Sequence, residues 1–464
     1  MQKWQLTIGL TGLALVASIL APRLLQDVRF DAPAHARDQA PPAAPAELSQ
    51  LGPLALNVGL DHRVVGSAPE ERFLVVEVRA PAPVGAQVRH PVDLAVVLDG
   101  SGSMSAAGKI DHARAAARHL AGALGPEDTY ALVVFDDAAR LVRPARPVTD
   151  LQSVERLIDG IYEGGGTNLH EGVRLGGAEL GRAHADGRIS RLVVLSDGKA
   201  TVGVTDPART GELAATLASR GVTVSTVGLG LDYNEDALAA IADMGGGTYD
   251  FVDDPATLRG TFSEALRHTA SVVAQQSRVR LTLSDEATLL DVVGWETTAA
   301  GVGTFDIWLG DIAAGETRRI VARIRTRPAG AQVDVASVRL DYVHAEGAGY
   351  AQHHQVAPVA DVSTAAASTD PVWAPVAQRA WGNAFLDRST RAYAQGDMQQ
   401  SRELLQQGRS ALVTAARDLD APELLNDAED LDRVRQVFEH SAPSSIEGRR
   451  VIKSNKETFR GRVR

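Results

Sequence analysis

The stretch VVLDGSGSM, Val96 to Met104, ends an apolar run in an aspartate and two serines spaced two residues apart, with glycines between them. Glycines alone suffice for a turn, so Asp99, Ser101 and Ser103 supply something else, which is oxygen. Two further segments bring oxygen to strand ends. EGGGTNLHEG sets Thr167 just before a helical pattern, and VVLSDGKAT sets Asp197 just after an apolar strand. Two carboxylates and three hydroxyls, with neither sulfur nor imidazole, are the donors a hard divalent cation takes. Mg²⁺ or Mn²⁺ fits, with Mg²⁺ retaining some of its waters. Helix and turn capping explains Asp99 to Ser103 by itself, but it does not call for Thr167 and Asp197.

These residues need a scaffold that gathers three loops. From Asp93 to His268, the apolar runs DLAVVL, YALVVF, RLVVLS and VTVSTVGLG alternate with helix-period segments such as KIDHARAAARHLAGAL and ARTGELAATLASRG. Runs such as LAVVL carry no polar face, as strands covered by helices on both sides require. The pattern predicts an α/β block around a doubly wound, mostly parallel sheet. Ligands bind such sheets at the carboxyl ends of the strands, where Asp99, Thr167 and Asp197 fall.

Asp99-Gly100-Ser101-Gly102-Ser103, Gly166-Thr167 and Ser196-Asp197-Gly198, in this order, resemble the von Willebrand factor type A (VWA) domains over residues 93–268. The resemblance implies a Rossmann-like fold and a metal-ion-dependent adhesion site. It implies that Ser101 and Ser103 bind the ion directly, that Thr167 does so in the ligand-ready state, and that Asp99 and Asp197 act mainly through water. Neutral hydroxyls as inner ligands leave the cation under-neutralised, so it takes an anionic sixth ligand, a Glu or Asp from a partner protein. In mobile relatives a shift of the Thr167 loop is coupled to the last helix of the block, here about 254–268. Phe135-Asp136-Asp137 also looks like the family's strand end, although ordinary turn chemistry explains it equally well.

The flanks divide the rest of the chain. Residues 1–29 hold an uncharged apolar run from Leu6 to Ala21, read as a signal or membrane anchor. Its length fits a removed signal or a retained anchor; Pro22 disfavours cleavage at its end, which favours the anchor. Residues 30–53 are an Ala/Pro-rich linker. Residues 54–92 are a β region and residues 269–356 a second one, together one antiparallel β-sandwich into which the α/β block is inserted or by which it is flanked. Residues 357–371 are a linker of small residues, 372–440 a helical hairpin turning at Gly396-Asp397, and 441–464 a flexible basic tail that offers weak contact to an acidic surface. This layout resembles bacterial VWA proteins labelled calcium-activated chloride channel-like, a label from which no channel activity is expected, since one short apolar segment makes no pore.

Length and composition bound the function. The 464 residues suit several domains, and a net charge of −11, from 47 basic and 58 acidic side chains, argues against nucleic-acid binding. The chain has no cysteine, which excludes a thiolate metal site, a disulfide framework and a cysteine nucleophile. No Ser/His/Asp nucleophile signature or phosphate-binding loop appears. His112 with His119, and His353 with His354, lack partners at a metal-binding spacing. The expected function is non-enzymatic: a metal-dependent protein-binding module for adhesion or assembly, exported to the periplasm or cell surface of a bacterium and anchored to the inner membrane by the N-terminal segment. A metal-dependent hydrolase, or a surface protein in which the metal only stabilises loops, is the alternative.

Overall fold

The computed structural model describes residues 49–463, apart from 84–89, 184–186, 198, 232, 259, 262–267 and 270. The expected signal or anchor, residues 30–48 of the expected linker, Gly198, and residues 259 and 262–267 of the helix expected over 254–268 lie outside the described residues. Among the described residues no helix is long and apolar enough to cross a membrane.

Four strands come first: β1 (Ser49–Leu51), β2 (Ala55–Leu60), β3 (Val65–Gly66) and β4 (Glu70–Arg79). The α/β block follows as β5 (Val92–Asp99), α1 (Lys109–Ala123), β6 (Thr129–Phe135), β7 (Ala139–Pro147), α2 (Leu151–Asp159), α3 (Leu169–Ala183), β8 (Ile189–Ser196), α4 (Pro207–Ala218), β9 (Val222–Leu229), α5 (Glu235–Met244) and β10 (Gly246–Val252). Then come β11 (Val272–Leu283), β12 (Ala287–Val293), β13 (Thr298–Gly301), β14 (Thr304–Ala313), β15 (Thr317–Thr326), β16 (Gln332–His344) and β17 (Gly347–Ala360). The chain closes with α6 (Val362–Ala366), α7 (Trp373–Ala394), α8 (Met398–Asp418), α9 (Leu424–His440) and α10 (Ile446–Val463).

The block is built on a six-stranded sheet in the order β10-β9-β8-β5-β6-β7, parallel except for the β6–β7 pair. Every residue of β5 is buried, because helices cover both faces. Leu94, Val96 and Leu98 pack with Ile110, Ala113 and Leu120 of α1 on one side. Ala95 and Val97 pack with Val173 and Leu180 of α3 on the other. The strand order reverses at β5, whose carboxyl end therefore opens into a crevice.

β2 and β4, before the block, share a four-stranded sheet with β12 and β15, after it, in the order β12-β15-β4-β2. That sheet packs on a larger one ordered β1-β17-β16-β11-β14-β13 around Leu56, Val76, Val279, Leu281, Val338 and Leu340. The α/β block is thus an insertion between the two parts of one sandwich. Block and sandwich meet by close backbone approach: a Cβ on Gly310 would lie 1.7 Å from the Gly246 carbonyl oxygen. Beside this contact the buried Asp311 pairs with Arg191 at 3.3 Å and accepts a hydrogen bond from the Thr223 hydroxyl at 2.9 Å.

Three expectations about the C-terminal third are corrected. The linker expected over 357–371 is the end of β17, paired with β16 at Val333↔Ala357 and Gln332↔Pro358, followed by α6. Ladder pairing overrides its small-residue composition. The helical hairpin expected over 372–440 is α7 and α8, turning at Gly396-Asp397 as the sequence suggests, with a third helix, α9, packed on α8. The flexible tail expected over 441–464 is instead the docked helix α10, with Val451, Ile452, Asn455, Phe459 and Val463 buried.

The basic side chains of α10 are occupied within the chain. Arg450 meets Asp253 at 2.7 Å, Lys453 meets Glu235 at 2.7 Å, Lys456 pairs with Asp236, and Arg460 pairs with Asp243, all carboxylates of the α/β block. One acidic residue on the same helix lies against the grain: burial beside Asp250 pushes the Glu457 carboxyl up to about 7, opposed by the Phe251 backbone N–H. A carboxyl whose folded value lies above its unfolded one favours the fold below about pH 4.5 and loses that advantage as pH rises through about 7. Glu457→Gln is therefore expected to gain stability over the parent across that window, on the order of 2 kcal/mol by pH 8. Chemical denaturation at pH 4.5 and pH 8 checks this, and an equal difference at the two pH values would contradict it.

Candidate metal centre

Strands β5 and β8 run parallel in register, with Leu98 opposite Leu195, so their carboxyl ends bring Asp99 beside Ser196 and Asp197. Asp99 is fully buried and engaged at both oxygens. Oδ1 accepts the Ser101 N–H at 2.8 Å, and Oδ2 accepts the Ser196 hydroxyl at 2.6 Å. The Ser101 and Ser103 hydroxyl oxygens lie 3.0 Å apart, and Ser103 donates to Asp197 Oδ1 at 2.7 Å. The other Asp197 oxygen holds the Lys109 ammonium at 2.6 Å. Four of the five expected ligand residues thus share one hydrogen-bonded cluster.

The loop that carries Thr167 is tied to the loop that carries Ser101 and Ser103. Gly164 N–H donates to the Gly100 carbonyl at 2.8 Å, and Gly102 N–H donates to the Gly165 carbonyl at 3.1 Å, which ties the two loops together. Thr167 itself is buried; its N–H donates to the Thr201 hydroxyl at 2.9 Å, and its carbonyl accepts the Thr201 N–H at 3.0 Å. The loop is therefore also joined to the segment that follows Asp197. Asp137, left unassigned by the sequence, props this loop by accepting the Gly166 N–H at 2.8 Å.

Burial pushes the Asp99 carboxyl up to about 6, working against the hydrogen bonds from Ser101 and Ser196, with the neighbouring Asp197 adding to the rise. Both aspartates are shut off from solvent, whereas Ser103 is exposed. The arrangement is a buried anionic floor with the Ser103 side chain open to solvent above it. Two carboxylates stand against one ammonium, so the cluster is one positive charge short. Short oxygen donors with that deficit fit a small hard cation. Among the described residues no three His, Cys, Asp or Glu gather in a cluster; here three of the five residues offer hydroxyls instead.

Lys109 was not singled out by sequence reasoning, because only its burial marks it. It is the first residue of α1, where the helix dipole disfavours a cation, so a lysine buried there needs a specific anionic partner. The His353–His354 pair stays outside the site: His353 is buried against Gln355 Oε1 at 3.2 Å, and His354 lies 3.3 Å from Asp334.

Residues 93–264 match the family model of the von Willebrand factor type A domain. Among curated proteins, the chain is 28% identical over 245 residues to the uncharacterized protein sll0103 of Synechocystis sp., a match covering 51% of this chain and 57% of that one. It is 25% identical over 247 residues to the uncharacterized protein YfbK of Escherichia coli, covering 52% and 43%. The chain thus spans about half the length of the curated relatives it matches. Among solved structures, a von Willebrand factor type A protein from Catenulispora acidiphila superposes with a TM-score of 0.64 at 21% identity, covering 81% of this chain and 90% of that one. The ArnB paralog VWA2 from Sulfolobus acidocaldarius gives 0.60 at 17% identity, covering 88% and 99%. At these identities the structural likeness speaks for the fold, which extends through the sandwich as well as the block.

Proposed function

Residues 93–264 form a von Willebrand factor type A domain, and from that premise we propose that the chain is a divalent-cation-dependent protein-binding module of the bacterial cell envelope. Asp99, Ser101, Ser103, Thr167 and Asp197 are the residues that would hold Mg²⁺ or Mn²⁺. Bound there, the ion would supply an electrophilic contact for an Asp or Glu carboxylate of a partner protein. The observation that carries this reading is the charge-deficient oxygen cluster at the mouth of the parallel sheet, with Ser103 exposed above buried Asp99 and Asp197. The chain's own residues orient the contact: Asp197 fixes the Ser103 hydroxyl, Ser196 fixes Asp99, and the backbone bonds between the 100–102 and 164–165 segments hold the Thr167 loop in place.

Binding is favoured over hydrolysis by the same hydrogen bonds. Both aspartates are shut off from solvent and each is held by two donors from the protein, Ser101 and Ser196 on Asp99 and Ser103 and Lys109 on Asp197, so neither faces solvent water as a general base. Envelope placement rests on the apolar run from Leu6 to Ala21, proposed as an export signal or anchor with the body outside the cytoplasm. Affinity capture from envelope extract in Mg²⁺, repeated in chelator and with Ser103→Ala, tests the function. The expected result is a partner retained in Mg²⁺ and lost in both controls. Identical captured proteins in all three conditions would refute the reading.

A further inference from the structure

We propose that Lys109 is the standing counter-cation of the metal centre: it keeps the site assembled without a divalent ion and, by the same charge, holds divalent affinity down so that the ion loads reversibly. This rests on the metal-binding reading above and adds a regulator of that site from outside the ligand set.

The geometry is specific. The Lys109 side chain is 8% exposed and its ammonium lies 2.6 Å from Asp197 Oδ2, while Asp197 itself has no exposure. The opposite carboxylate oxygen takes the Ser103 hydroxyl at 2.7 Å. A single carboxylate is therefore shared between a proposed ion ligand and a resident cation. The lysine stem is also accommodated by its surroundings, since a Cβ on Gly230 would stand 3.1 Å from Lys109 Cε. Any side chain at position 230 would crowd the stem. The position at the start of α1 disfavours a cation through the helix dipole, so Asp197 is what holds the ammonium there.

Two consequences follow from charge alone. Without a divalent ion, removing the ammonium leaves Asp99 and Asp197 buried together with no opposing charge, an arrangement that breaking a buried pair makes strongly destabilising. With a divalent ion, the ammonium and the ion repel one another across a poorly solvated site, so its removal strengthens ion binding. One substitution thus weakens the metal-free fold and tightens metal uptake. An ordinary structural salt bridge predicts the first effect without the second.

The test uses the full chain with Lys109→Gln and Lys109→Arg. Mn²⁺ alone is titrated by calorimetry and by the loss of its free-ion electron paramagnetic resonance signal, and melting temperatures are taken in chelator and in Mn²⁺. Lys109→Gln is expected to bind Mn²⁺ about tenfold tighter or more, to melt below the parent in chelator, and to gain more from Mn²⁺ than the parent gains. Lys109→Arg, which keeps the charge, is expected to track the parent. Unchanged or weaker Mn²⁺ binding by Lys109→Gln, alongside measurable binding by the parent, overturns the role of Lys109 and leaves the metal centre standing. So does a Lys109→Gln protein that fails to fold even with Mn²⁺ present, because the ion should then replace the missing charge. No uptake by the parent or either variant overturns the metal reading and this proposal together.

Discussion

Asp99→Asn is expected to weaken Mn²⁺ binding by about 100-fold or more, seen as loss of the calorimetric signal, while the chain remains folded in chelator. The variant removes one of the two negative charges in the buried floor, and an oxygen-ligated divalent ion loses several kcal/mol of attraction at an effective dielectric near ~20. Folding is affected far less, because burial already disfavours the Asp99 charge, holding its carboxyl at about 6. The amide can still accept the Ser196 hydroxyl; its cost is a mismatch with the Ser101 N–H, about 1–3 kcal/mol for one unsatisfied buried donor. If Asp99→Asn bound Mn²⁺ as tightly as the parent, the ion would sit elsewhere.

Lys453→Ala is expected to be the most damaging single change outside the metal centre. The Lys453 ammonium is buried, donates to Glu235 Oε2 at 2.7 Å and to the Tyr233 carbonyl at 3.1 Å, and lies 3.7 Å from the centre of the Tyr233 ring. Removing one partner of a buried pair costs about 3–5 kcal/mol, and the low end applies here because Glu235 is 21% exposed and keeps the nearby Lys456 charge. The loss should appear as loosening of α10 from the α/β block, with amide exchange over 446–463 accelerated by about 100-fold. Arg174→Ala supplies the contrast: its pair with Glu171 is solvent-exposed, and its loss should cost less than about 0.5 kcal/mol. Equal effects of the two substitutions would show that α10 is not held by its buried charges.

The difference between these two regions marks what the sequence could tell. Asp99, Ser101, Ser103 and Asp197 were legible because strand ends in a doubly wound sheet converge, and short oxygen-bearing side chains there have few other uses. Lys109 was not, since an isolated lysine at a helix start reads as a solvated surface residue until its burial is seen. The insertion of the α/β block into one sandwich was legible from β patterning on both sides, and the β2–β4 and β12–β15 pairings supply the register. Helix α10 was missed because net charge was weighed over spacing. Val451, Asn455, Phe459 and Val463 recur every four residues and form a buried stripe, and the surrounding cations are soluble-looking only until Glu235, Asp236, Asp243 and Asp253 are placed opposite them. The end of β17, Ala357 to Ala360, misled in the same manner, since composition says nothing of a ladder partner more than twenty residues away.

Anomalous diffraction from crystals of the full chain grown with MnCl₂ bears most directly on the metal centre. The expected map shows one manganese peak bonded to the Ser101 and Ser103 hydroxyls, with Thr167 and the two aspartates around it and Lys109 still on Asp197. A map with no peak at that cluster, or with manganese bound only at surface carboxylates, would contradict the account.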